Sequence, residues 1–195
     1  PDKVSCNNSV VQIGVPPKPG WNYLWTPPIA LSSDLIANPF ATPDVTTEYI
    51  LHVNHIGGGC RSTDTVTVQA AKLYDDLDVF GKPNWCIGSG DSSVLQVKPC
   101  DSVQWYKNGI AIPGANQQRF KATETGTYSA QVFSFLGCNL YTKSINIDIS
   151  SIPVPGFKVD KPVQCFVNNK FVFTNTSTNA VGGPMQYRWL TGDGF

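Results

Sequence analysis

The chain contains no apolar run approaching the roughly 18 residues that a membrane-crossing helix needs. It is also poor in charge. Only 14% of its 195 residues are Asp, Glu, Lys or Arg, and the 14 basic and 14 acidic side chains cancel. Such a neutral surface offers no electrostatic footprint for nucleic acid or anionic lipid. No Cys-x-x-Cys pair occurs and only two histidines exist, so the spacing of a zinc ribbon is missing. No stretch of a dozen residues carries a helical apolar stripe uninterrupted by Pro or Gly. An initiating Met and an apolar leader are lacking too. The chain opens Pro1-Asp2-Lys3, as a mature or excised segment would.

What is present points to a folded β protein. A 41% hydrophobic content with 11% aromatics can bury a core, which argues against disorder. The 17 Gly and 15 Pro punctuate short β-branched runs, such as Val66 and Val68, Val94 and Val97, and Ile145, Ile147 and Ile149. The six cysteines, Cys6, Cys60, Cys86, Cys100, Cys138 and Cys165, are widely spaced in a Thr-, Asn- and Ser-rich chain. That usage predicts disulfides and an oxidising, extracellular setting.

The chain repeats itself. Cys6 precedes Trp25 by 19 positions, and Cys86 precedes Trp105 by 19. After each Trp comes a tyrosine strand, Thr47-Glu48-Tyr49-Ile50-Leu51 and Gly126-Thr127-Tyr128-Ser129-Ala130. Each strand runs into a Gly-Cys pair, Gly59-Cys60 and Gly137-Cys138, then into a closing strand. Equivalent landmarks lie 78 to 80 residues apart. A third copy is expected from Cys165 through Phe171-Val172-Phe173 to Trp189. The expected organisation is therefore a module over 1–72, a second over 73–151 and the first half of a third over 152–195. Repeats of this size with period-2 strands predict an all-β fold of tandem immunoglobulin-like sandwiches. Trp25, Trp105 and Trp189 read as core anchors, as do Tyr49 and Tyr128; a sugar-stacking platform is the alternative for such aromatics.

Val103-Gln104-Trp105-Tyr106-Lys107-Asn108-Gly109 with Thr125-Gly126-Thr127-Tyr128 resembles the Ig-like repeats of large bacterial surface proteins. The first copy, Tyr23-Leu24-Trp25-Thr26-Pro27 through Tyr49, resembles a sister version. Phe171-Val172-Phe173-Thr174-Asn175 with Tyr187-Arg188-Trp189 and Gly192-Asp193-Gly194 is similar to the opening half of a PKD domain, with Leu190 and Thr191 departing from that pattern. Modules of these kinds build cell-surface adhesins and gliding-associated proteins exported by type IX secretion, and spacers in secreted hydrolases. The resemblance implies a non-catalytic stalk or adhesive array without cofactor. Its partners would be neighbouring modules or another surface protein, with a carbohydrate ligand as an option. It implies no nucleic acid and no membrane span.

Candidate chemistry is sparse. Gly88-Ser89-Gly90-Asp91-Ser92 could carry a nucleophilic serine, but no oriented base accompanies it, so a turn is expected. His52 and His55, three apart on a strand, point to opposite faces and do not make a metal pair with Cys60. Asp75, Asp76 and Asp78 form an acidic cluster near the first module boundary, read as a solvated linker, with calcium as the rival. Asp91, Asp101 and Asp193 are scattered. Asn7-Asn8-Ser9 and Asn175-Thr176-Ser177 fit the N-glycan sequon but read as turns. The resembled secretion group carries O-glycans on Asp-Thr/Ser-apolar triplets, which nominates Thr65 and Ser102. Trp21 and Trp85, outside the repeat landmarks, are the residues that would favour carbohydrate binding.

Analogy between the copies favours Cys6–Cys60 and Cys86–Cys138 bridges, with Cys100–Cys138 as competitor and Cys165 unassigned. A geometric objection stands against the analogy. Within one sandwich the two landmarks lie at opposite ends of a strand of about eight residues, roughly 26 Å. A disulfide tolerates a Cα separation of at most about 7 Å. For the third copy, exposed Phe171, Phe173 and Trp189 are expected, to be covered by further chain or a donated strand.

Overall fold

A computed structural model describes residues 1–165, 167–168, 170–179 and 185–190. Among them every regular element is a strand. The first copy contributes β1 (Lys3–Cys6), β2 (Val11–Gln12), β3 (Trp21–Thr26), β4 (Phe40–Ala41), β5 (Thr47–His55) and β6 (Arg61–Ala71). The second contributes β7 (Leu77–Gly81), β8 (Asn84–Cys86), β9 (Ser93–Val97), β10 (Ser102–Lys107), β11 (Ile110–Ala111), β12 (Arg119–Ala122), β13 (Gly126–Phe133), β14 (Asn139–Tyr141) and β15 (Ile145–Ser150). β16 (Phe157–Val159) and β17 (Phe173–Asn175) complete the set.

Sheet membership follows one rule in both copies. In the first, β1-β6-β5-β3 form one sheet and β2-β4 a small second one. In the second, the orders are β11-β10-β13-β15-β8, with β14 on β13, and β12-β9-β7. In both copies the early strands switch sheet from one to the next, β1 to β4 and β7 to β10, whereas the closing strands, β5 and β6 in the first and β13 to β15 in the second, stay within one sheet. In both copies the short strand that ends in a cysteine runs parallel to the closing one, β1 on β6 and β8 on β15.

The chain divides into two compact units, one of Pro1–Asp78, Leu95–Phe120 and Thr127–Ile145, the other of Val79–Val94, Lys121–Gly126 and Asn146–Phe195. The division runs through strands β7, β9, β12, β13 and β15, each of which has residues in both.

In the first unit, alternation places the apolar face inward. β5 buries Tyr49 and Leu51, and β13 buries Tyr128, Ala130 and Val132. The first cluster is Ile13, Trp25, Ala41, Tyr49, Leu51 and Val68, flanked by Val11, Tyr23, Leu31, Val53 and Val66. Around Trp105, Phe120 stacks at 5.5 Å between ring centroids and itself meets Tyr128 at 5.8 Å. A buried aromatic of this size removes roughly 150–250 Å² from water. At about 25 cal/mol per Å² that is about 4–6 kcal/mol each, so the Trp and Tyr anchors dominate each core.

The anchors occupy equivalent places. Trp25 lies opposite Leu51, two residues after Tyr49. Trp105 lies opposite Ala130, two residues after Tyr128. Each indole Nε1–H donates to a carbonyl eleven or twelve residues on, Trp25 to Ile36 at 2.9 Å and Trp105 to Gln117 at 2.8 Å. Gly14 makes room for the first of these rings. It has φ +92°, and a Cβ there would stand 2.1 Å from the Ala37 carbonyl oxygen and 2.8 Å from Trp25 Cζ2.

In the second unit, Trp85 on β8 donates its indole N–H to Ser93 Oγ at 3.0 Å. β16 and β17 pair antiparallel, with Phe157 opposite Asn175. Phe157, Phe173 and Trp189 form a ring triad with centroids 5.9–6.0 Å apart.

Candidate functional site

The tyrosine strands set the site. Five residues after Tyr49, Asn54 pairs with Arg61; five after Tyr128, Phe133 pairs with Asn139. The next rung in each hairpin is a cysteine carbonyl accepting from the opposite amide, His55 to Cys60 at 3.1 Å and Ser134 to Cys138 at 2.9 Å. Gly59 and Gly137, both at positive φ, turn the chain into these cysteines. Cys60 and Cys138 therefore hold one register position in two hairpins.

Cys6 and Cys86 hold another. Cys6 ends β1 opposite Ala71, and Cys86 ends β8 opposite Ser150. The residue after each donates its amide to that facing carbonyl, at 2.8 Å in both cases. The third residue after each closes a turn on the cysteine carbonyl, Ser9 to Cys6 and Ser89 to Cys86.

The structure joins the two kinds of position across the copies. Cys6 and Cys138 form a disulfide, with 5.6 Å between Cα atoms. This corrects the expected Cys6–Cys60 and Cys86–Cys138 bridges and the competing Cys100–Cys138. The separation of strand ends that weighed against a bridge inside one copy disappears when the partner belongs to the next. Cys60, Cys86, Cys100 and Cys165 carry free thiols. Burial, with the Asp101 carboxylate second, pushes the Cys100 thiol above its ordinary pKa. Cys165 lies between β16 and β17 and ends no strand, so its sequence offset from Cys86 does not translate into the same place in the fold.

Around the bridge, the chain leaving β6 is held by several contacts. The Asn7 side-chain oxygen accepts from the Leu73 amide at 2.7 Å, and Leu73 is buried. The Lys143 amide donates to the Asp75 carbonyl at 2.7 Å. Its ammonium reaches Asp76 at 2.9 Å and Asp75 at 3.4 Å. Lys98 pairs with Asp78 at 2.7 Å. A hydrogen bond from Lys143 holds the Asp76 carboxyl below its usual range, and the same bond raises the Lys143 ammonium. Lys98 is raised by its bond to Asp78. The acidic cluster read as a solvated linker is thus lysine-paired at every carboxylate. A cavity of about 370 Å³ lies alongside, lined by Asn7, Asn8, Lys72, Leu73, Tyr74, Asp75 and Leu140.

The other candidates stay apart. Ser89 donates to Asp91 at 3.0 Å, and Asp91 pairs with Lys82 at 3.0 Å, which makes Gly88–Ser92 a braced turn. His52 meets Thr26 Oγ1 at 3.2 Å, while His55 packs edge-on against Trp21 at 5.2 Å. Among the described residues no three His, Cys, Asp or Glu side chains cluster as a metal site would need. Trp21 and Trp85 are half-buried. Thr65 on β6 and Ser102 on β10 are exposed. Asn7 and Asn8, at φ +48° and +60°, form the turn read from the first sequon. Phe171, Phe173 and Trp189 are 42%, 54% and 51% exposed, as expected of an uncovered face. Gly192-Asp193-Gly194 lies outside the described residues.

No family model matches the chain, and no curated protein matches it in sequence. Among solved structures it is similar to the N-terminal four Ig domains of a Dscam1 isoform, at TM-score 0.41 and 14% identity over 76% of this chain and 44% of that one. An I-band fragment of titin aligns at TM-score 0.43 and 10% identity, covering 78% of this chain and 65% of the fragment. Sidekick-1 immunoglobulin domains 1–5 align at TM-score 0.41 and 12% identity, over 80% and 38%. The chain thus spans less than half of the Dscam1 and Sidekick-1 fragments.

Proposed function

We propose that this chain is a non-catalytic structural or adhesive segment of a large secreted bacterial surface protein, built as Ig-like modules over 1–72 and 73–151 and a PKD-like half-module over 152–195. The observation that carries this reading is the Cys6–Cys138 bridge. It ties the start of one repeat to a hairpin of the next, and the Leu73 amide, which donates to the Asn7 side chain, adds a second tie across the same boundary. A joint locked covalently resists bending, which suits an element that holds a binding end away from a cell. A disulfide also fits an extracellular compartment. Export by type IX secretion, with O-glycans at Thr65 and Ser102, belongs to the same reading, supported by the resemblance and by the exposure of both side chains. The residues nominated for sugar stacking give the carbohydrate alternative no support, since Trp21 packs on His55 and Trp85 is tied to Ser93.

The test is cellular. Antibodies to this segment should label intact cells of the source organism, and deletion of the parent gene should reduce surface attachment while leaving secreted hydrolase activity unchanged. Lost hydrolysis with normal attachment would replace this reading with that of an enzyme spacer.

A further inference from the structure

Two of the four free thiols stand where the structure has already made a disulfide elsewhere. Cys86 repeats the environment of Cys6: end of a short strand parallel to the closing strand, amide of the following residue on the facing carbonyl, three-residue turn back to its own carbonyl. Cys60 repeats that of Cys138, one rung past the strand pair that lies five residues after the core tyrosine. Cys100 has no counterpart in the first copy, where Gly20 stands five residues before Trp25. Cys165 ends no strand.

We propose that Cys60 and Cys86 are the two open ends of a disulfide ladder. In it, the strand-end cysteine of each repeat bonds the hairpin cysteine of the following repeat, as Cys6 bonds Cys138. Cys86 is then the outgoing half-cystine and Cys60 the incoming one. Their partners are the matching positions of a second copy of this chain. The proposal rests on the array reading only for its biological setting; its geometric basis is the register equivalence.

Access fits these roles. Cys60 is exposed at the end of Gly57-Gly58-Gly59, and a Cβ added at Gly58 or Gly59 would meet nothing within 4 Å, so the hairpin tip is slender and open. Cys86 is half-buried on the wall of a cavity of about 720 Å³, beside Ser150, Ser151 and Pro153, into which such a tip can reach. With oxidised glutathione as oxidant, the Cys60 thiolate attacks one glutathione sulfur and expels a glutathione thiolate. The Cys86 thiolate of a second molecule then attacks the Cys60 sulfur of this mixed disulfide and expels the other glutathione. Two protein thiols give up two protons and two electrons, which reduce one glutathione disulfide to two thiols.

The experiment uses the 195-residue chain with Cys100→Ser and Cys165→Ser as background, plus Cys60→Ser or Cys86→Ser, in a glutathione redox buffer. The background protein is expected to form a ladder of oligomers on non-reducing gels. Each single-end variant alone stays monomeric. Their mixture doubles in mass and stops there, with a Cys60–Cys86 peptide found by mass spectrometry. Peptide mapping of the retained Cys6–Cys138 bridge in each variant establishes that it is folded. Homodimers of either variant, or an unreacted mixture of folded variants, overturn the ladder. Such a failure leaves cell-surface labelling untouched, so it is distinguishable from failure of the array reading.

Discussion

Cys6 is bonded to Cys138 across 132 residues of chain, and the bond connects two different repeats. Closing a loop of that length removes conformational entropy from the unfolded chain equivalent to about 5 kcal/mol at most. The double variant Cys6→Ser/Cys138→Ser should therefore lose about 2–5 kcal/mol of stability in urea unfolding, with the loss matched by adding reductant to the native protein. Denatured, unreduced monomer kept out of oxidising buffer should titrate four thiols, one for each cysteine outside the bridge. Six titratable thiols would show that the bridge does not form.

The paired registers of Trp25 with Leu51 and Trp105 with Ala130 make a matched mutational test. Trp→Phe at either site keeps most of the apolar area but leaves the Ile36 or Gln117 carbonyl without its indole donor, a cost of about 1–3 kcal/mol. Trp→Ala should cost about 3–5 kcal/mol through the cavity it opens. Equivalent positions predict similar losses, read as midpoint shifts in urea. A tolerated substitution at one site beside a severe one at the other would mean that the two anchors are not equivalent.

These anchors were legible in the sequence because strand signals are local. Alternation along Thr47–His55 and Gly126–Phe133 is set by residues two apart, and the 19-residue spacing from cysteine to tryptophan recurs as the same place in the fold. Ser89 and Asp91 read as a turn from their Gly and Asp neighbours and from the lack of an oriented base, and they form one. What stayed hidden is contact between copies. Analogy paired cysteines inside each copy, although strand length already opposed it, and the alternative of pairing between copies would have satisfied both. Distance along the chain hid a partner of the acidic cluster within the second copy, since Lys143 lies 67 residues from Asp76. The third copy shows the opposite failure. Its cysteine keeps the repeat's spacing in sequence while β16 and β17 place it in a connection rather than at a strand end.

The ion pair of Lys143 with Asp76, inside the second copy, has a defined pH window. The Asp76 carboxyl is held below its usual pKa by the hydrogen bond from Lys143, with their Coulombic attraction second. Its contribution is therefore complete above the unfolded value of about 3.9 and is lost as pH falls through the lowered folded value. Lys143 is shifted upward, chiefly by the same bond. Its contribution is complete below the unfolded value of about 10.4 and is lost as pH rises through the raised one. Between those limits the pair stands, weakened by salt because both side chains face solvent. A carboxyl carbon titration by NMR should give Asp76 a midpoint below that of an unpaired aspartate, and Lys143→Gln should return it toward the ordinary range. A midpoint indifferent to Lys143→Gln would mean that the ion pair does not form in solution, leaving the hydrogen bond from the Lys143 amide to the Asp75 carbonyl to hold this segment.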